Sequence, residues 1–202
     1  MPGKFDPHKQ AFFLNLYKLI KKHKDKEDRI YFLDATHPQH NTKSSYGWIY
    51  KGEIKTIKGN SGRQRINLNG AVNLEDMEVT VLEEKTINTD AMIRLLETLE
   101  KKQKTGTIYA ILDNASYNHS RQLKAYLKKH KRIELYYLPA YSPNLNPIER
   151  LWLFFHKKLL YDHYYPTFKE FKAQTLSFFT NIKHYDKELR TLLTDSFQVL
   201  PA

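Results

Sequence analysis

The stretch TIYAILD, residues 107–113, decides the fold class. It is a near-continuous apolar run closed by an acid, the pattern of a central parallel strand covered on both faces. Upstream, TDAMIRLLETLEKKQK (89–104) switches to a helical period. Met92, Leu95, Leu96 and Leu99 share one face there, and Asn88 or Thr89 can cap the first turn. Downstream, residues 118–130 read as a second helix with Leu123, Tyr126 and Leu127 turned inward, and RIELYYL (132–138) as a further strand. Helices alternating with apolar strands predict parallel pairing.

The N-terminal half follows a different rule. IYFLDA (30–35) suits a buried strand, and a second strand is expected near Gly47–Tyr50. RINLNGAVN (65–73) and MEVTVLEE (77–84) read as two strands joined by a turn around Glu75 and Asp76, completing an antiparallel meander. Residues 6–24 predict a helix, capped by Asp6 with Pro7 at its first position, on which Phe12, Phe13, Leu16, Leu19 and Ile20 recur. After the last strand come a Pro/Asn loop, PAYSPNLNP (139–147), and helices over IERLWLFFHKKLL (148–160) and TFKEFKAQTLSFFTNI (167–182). The expected architecture is α/β, a mixed five-stranded sheet with helices on both faces. It spans 30–182, between an N-terminal helical arm or linker (1–29) and a helical tail (183–202).

The 202 residues include 33 Lys and Arg against 22 Asp and Glu, a net charge of +11 that points to a polyanionic partner, nucleic acid first. The absence of Cys excludes disulfides, thiolate metal sites and thiol nucleophiles. No apolar run is long enough to span a membrane. The opening MPGKFDPHKQ lacks the apolar core of a signal peptide, so a cytoplasmic, nucleoid-associated protein is expected.

Three acids stand where chemistry is done. Asp34 closes the first apolar strand, Asp113 closes TIYAILD, and Glu149 lies in the first turn of a helix directly after the Pro-rich loop. Acids at the carboxyl ends of buried strands point into the crevice where open α/β sheets carry their sites. Close carboxylates repel unless a cation neutralises them, and hard oxygen donors select Mg²⁺ or Mn²⁺. Each acid alone also fits an ordinary turn or a favourable interaction with a helix dipole.

The run LPAYSPNLNPIERLW (138–152) closely resembles the signature around the last catalytic acid of DDE transposases of the IS630/Tc1/mariner superfamily, Pro-x-Tyr-Ser-Pro-x-Leu-Asn-Pro-Ile-Glu-x-Leu-Trp. ILDNAS (111–116) resembles the family's second-acid motif. FLDATHPQH (32–40) followed by YGWIYKG (46–52) resembles its first-acid strand and the strand after it. The 35 residues between Asp113 and Glu149 are close to the family's usual separation.

The resemblance covers about residues 30–160 and implies an RNase H-like fold. It also implies metal-dependent cleavage at transposon ends, followed by 3′-OH strand transfer into target DNA, commonly at a TA step. By the resemblance, Asp34, Asp113 and Glu149 become the catalytic metal ligands, with two Mg²⁺ or Mn²⁺ ions expected between them. Asn114 and His119 become supporting residues. Family members often carry His five residues after the second acid, where this chain has Asn118. Double-stranded DNA and a second copy of the chain are the implied partners. Family transposases also carry N-terminal helix-turn-helix domains, for which this chain has no room before Asp34.

Lys58, Arg63 and Arg65 near the hairpin, and Arg150, His156, Lys157 and Lys158 on the Glu149 helix, are the candidate DNA contacts. His37 and His40 have zinc-pair spacing, but no other nitrogen or thiolate cluster joins them. Trp48, Trp152, Phe154 and Phe155 read as core. Two rival functions stay open: an RNase H-like nuclease that hydrolyses without strand transfer, and a non-catalytic DNA-binding protein derived from a transposase.

Overall fold

The computed structural model describes residues 6–45, 48, 50–54 and 56–197. Strands β1 (Arg29–Thr36), β2 (Gln39–Asn41), β3 (Ser61–Arg65), β4 (Asn67–Asn73), β5 (Val79–Glu84), β6 (Ile108–Leu112) and β7 (Ile133–Tyr137) form two sheets. The larger has the order β5-β4-β1-β6-β7 and the smaller pairs β2 with β3. In the larger sheet β1, β4 and β5 pair antiparallel, whereas β1–β6 and β6–β7 are parallel. The expected mixed five-stranded sheet is therefore present, with its meander and its alternating half joined at β1.

Helices α1 (Pro7–His23), α4 (Ile148–Leu159), α5 (Phe168–Thr180) and α6 (Asp186–Leu192) contribute to the core on one face, with Phe32, Leu68, Val72 and Ile111 beneath them. Helices α2 (Thr89–Lys102) and α3 (Arg121–Lys129) cover the other face over Tyr31, Leu33, Ala110 and Leu112. The period-2 pleat explains the split: neighbouring strand residues serve opposite layers. Side-chain caps set the helix starts. Asp6 accepts from the backbone N–H groups of His8 and Lys9, Asn88 from Ala91, Ser120 from Leu123 and Thr167 from Glu170.

The structure corrects several sequence expectations. The 118–130 segment is divided into a 3₁₀ turn over Ser116–His119 and α3, because Ser120 leaves the helical path to cap the second piece. The β2–β3 ribbon was not anticipated, and it lets β4 pair directly with β1. The strand expected near Gly47–Tyr50 falls largely on Gly47 and Ile49, outside the described residues. Trp48 is fully exposed rather than core, as it lies in none of the described strands or helices. On α1 the buried stripe is Gln10, Phe13 and Tyr17, which leaves Phe12 and Leu19 in solvent. The expected N-terminal arm is thus integrated, with Phe13 and Tyr17 in the same core as Phe32. Trp152 and Phe155 are buried as expected, and Phe154 packs at the core's margin.

Candidate active site

The pleat aims the two aspartates. On β1, Ile30 and Phe32 face the α4 layer, so Asp34, two residues further on, faces it too. On β6, Tyr109 and Ile111 face that layer, and Asp113 follows at the same spacing. Phe32 and Ile111 are the last paired positions of the parallel β1–β6 ladder, which leaves the two acids side by side just beyond it. Glu149 comes from above, in the first turn of α4. Pro147 precedes that helix, and the Glu149 backbone N–H bonds to the Asn146 carbonyl at 3.1 Å.

Two clefts share the two aspartates. One, of about 410 Å³, is lined by Asp34, Asp113, His37, Arg65, Lys85 and Tyr117, among others. The other, of about 350 Å³, is lined by Asp34, Asp113 and Glu149 together with the Leu138–Pro143 loop. Asp34 is half-buried, and its carboxyl pKa is pushed up to about 7, by desolvation first and the Glu149 charge second. The Glu149 carboxyl is also raised, by partial desolvation and then by Asp113. Tyr117 is pushed up to about 12 by burial and by both aspartates, so its phenol stays protonated and serves poorly as a nucleophile.

Each acid has its own support. Trp152 Nε1 donates to Asp34 Oδ2 at 2.9 Å. The indole fits there because Gly70, the β4 partner of Asp34, has no side chain. A Cβ at Gly70 would stand 2.5 Å from Trp152 Cη2. Asp113 Oδ1 accepts from Asn118 Nδ2 at 3.0 Å and from the Ala115 backbone N–H at 3.1 Å. Asn118 thus orients the second acid. Asn114 instead donates to the Leu138 carbonyl, tying the ends of β6 and β7 together. His119 stacks on Tyr137 with ring centroids 4.4 Å apart. Trp152 and Asn118 were missed as supporting residues in the sequence. The available signals were an indole three residues after Glu149 and an amide five residues after Asp113.

The basic candidates separate. Arg65 lines the first cleft, while Arg63 and Lys58 are exposed nearby on and before β3. Arg150 donates to the Leu192 carbonyl and the Thr194 hydroxyl, which binds it to the C-terminal segment rather than presenting it to a ligand. His156 turns inward, and burial, with Lys43 nearby, lowers its pKa. Lys157 is exposed, and Lys158 lies over the Phe154 and Tyr185 rings at 5.3 and 5.2 Å. His37 Nδ1 pairs with Asn67 at 2.8 Å and His40 Nε2 meets the Tyr165 carbonyl at 2.8 Å, so the two imidazoles serve different partners.

Residues 29–172 match the family model described as DDE superfamily endonuclease. The chain belongs to this family. It is 26% identical over 159 residues to the Insertion element IS630 uncharacterized 39 kDa protein of Shigella sonnei, covering 78% of this chain and 46% of that protein. The chain therefore spans about half the length of the curated relative it matches. Among solved structures it is similar to the Mos1 transposase paired-end complex with left transposon end, with a TM-score of 0.65 and 17% identity over 99% of this chain and 66% of that one. The Mos1 mariner paired end complex with Mn gives 0.66 and 17% over 96% and 62%. The catalytic domain of Mos1 mariner transposase gives 0.58 and 15% over 90% and 85%. These likenesses establish for this DDE-family chain the RNase H-like fold that its terminal motif implied. Among its described residues no helix is long and apolar enough to cross a membrane.

Proposed function

We propose that this chain is the catalytic part of a DNA transposase, cleaving the phosphodiester at an element's end and joining the freed 3′-OH to target DNA, with a TA step as expected target. The observation that carries this function is that Asp34, Asp113 and Glu149 line one cleft, with Asp34 and Glu149 held above their ordinary pKa. A charge-repelling oxygen set of this kind suits a hard divalent cation. Among the described residues no three acids or histidines stand close enough together to hold a metal ion as they are placed. Mg²⁺ or Mn²⁺, two ions by the family resemblance and Mn by analogy with the Mos1 complex, would supply activation of the attacking oxygen and stabilisation of the leaving one.

The chain's own groups do the rest. Asp34, Asp113 and Glu149 are the ligands, Trp152 holds one oxygen of Asp34, and Asn118 holds one oxygen of Asp113. Arg65 and Lys85 line the cleft with positive charge where a phosphate backbone would run. By the same resemblance the active species is a dimer acting on two DNA ends, with end recognition supplied by a helix-turn-helix region.

The test is Mn²⁺-dependent cleavage of a duplex carrying the element's terminal repeat, with transfer of the 3′ end into a second labelled duplex. Asp34→Asn, Asp113→Asn and Glu149→Gln are expected to abolish both steps while leaving the circular-dichroism spectrum unchanged. Hydrolysis without transfer would favour a nuclease. DNA binding without cleavage in either metal would favour a non-catalytic descendant.

A further inference from the structure

The Leu138–Pro143 loop carries a feature that phosphodiester cleavage does not require. Tyr141 sits at φ 56°, in the left-handed region that a bulky side chain rarely enters, yet its ring is 65% exposed. Backbone strain of this kind persists where the surroundings over-determine it. Here the neighbours do so. Ser142 is buried and its hydroxyl accepts from Gln10 Nε2 of α1 at 3.1 Å, and Leu145 and Asn146 close a 3₁₀ turn back onto Ser142 and Pro143. The N-terminal helix thus clamps the loop, and the clamped loop holds an aromatic ring in solvent rather than in the core.

Tyr141 borders the 350 Å³ cleft, whose loop wall also carries Leu138, Pro139, Ala140 and Pro143 beside the polar Ser142 and Asn146. That wall is mostly apolar, and the same cleft is lined by the three carboxylates. A mostly apolar slot with an exposed aromatic wall, opening beside a phosphodiester-cleaving centre in a chain of net charge +11, has the chemistry of a base-stacking platform.

We propose that this cleft is a nucleobase site: Tyr141 stacks on an unpaired base of the DNA strand whose adjoining phosphate lies at Asp34, Asp113 and Glu149. The inference rests on the catalytic reading above and adds the group recognised next to the scissile bond. The strained backbone aims the ring before DNA arrives, so stacking needs no loop rearrangement. Stacking reads the presence of a base and not its identity, because every base has a π-face.

The experiment compares binding, in EDTA, of a labelled duplex with a short unpaired 3′ overhang against the same duplex with an abasic overhang. Wild type is expected to prefer the base-bearing overhang by roughly fivefold or more, Tyr141→Phe to keep that preference and Tyr141→Ala to lose it. Equal wild-type affinity for the two duplexes, absence of binding to either, or a preference that survives in Tyr141→Ala overturns the proposal. Mn²⁺-dependent cleavage is measured in parallel. Cleavage without base preference removes the nucleobase site alone, and base preference without cleavage removes the catalytic reading alone.

Discussion

Trp152 donates its indole N–H to Asp34 Oδ2 at 2.9 Å, so the helix that carries Glu149 also orients the first aspartate. Two of the three acids are thereby coupled through α4. Trp152→Phe keeps a ring in the layer and removes the donor. The expected result is a raised Mn²⁺ requirement for cleavage, with stability lowered by about 1 kcal/mol. Titrating metal in the cleavage assay alongside thermal melts checks it, and an unchanged metal requirement would show that Asp34 needs no such holder.

Gly70 makes that arrangement possible. Gly70→Ala places a methyl group 2.5 Å from Trp152 Cη2 and must displace the indole, at a cost of about 1–3 kcal/mol. Combining it with Trp152→Leu, which empties the slot, should give less than the sum of the two single effects. Additive losses in denaturant unfolding would mean the two positions do not touch.

Asp34 makes stability depend on pH in an unusual direction. Its pKa is about 7 in the fold against 3.8 for the ordinary carboxyl, so between those values the folded state holds more protons than the unfolded state. Stability from this group is full below the lower value and falls as pH rises through 7. Asp34→Asn removes the term while retaining an acceptor for Trp152. In EDTA the variant should melt above wild type, by on the order of 2 kcal/mol at pH 8 and by little at pH 4.5. A gap independent of pH would refute a raised Asp34 pKa.

His156 acts in the opposite sense. Burial first and Lys43 second depress its pKa, and its Nε2 is buried with no hydrogen-bond partner among the described residues. The unfolded state takes up the proton first, so this contribution is present above the unfolded value and lost as pH falls below about 6.5. His156→Leu should lose less stability than wild type between pH 7 and pH 5, as read by chemical denaturation at each pH.

The two arginines should behave differently. Arg65→Ala removes a charge from the carboxylate cleft and is expected to weaken duplex binding and shallow its salt dependence by about one unit. Arg150→Ala frees the segment at Leu192 and Thr194, so it should lower the melting temperature and leave the salt slope unchanged. A reduced slope for Arg150→Ala would return that residue to the DNA surface.

Periodicity alone placed the strands around Asp34 and Asp113 and the helix that begins before Glu149, because apolar spacing and capping are local properties of the chain. The resemblance of the Leu138–Trp152 run to a family signature then named the three acids as a set. Support for those acids was not legible in the same way. Trp152 reaches Asp34 across 118 residues of chain, through a slot left by Gly70 on a third element. The β2–β3 ribbon was hidden because three- and five-residue strands with no apolar side chain carry almost no periodic signal. Arg150 read as a DNA contact because charge is visible in a sequence, whereas the Leu192 carbonyl that occupies it is brought there by the packing of α6. Local chemistry therefore dictates which elements form and where along the chain the three acids fall on them. Which groups hold those acids, and which cations remain available to DNA, follows from long-range packing that brings distant residues to one point.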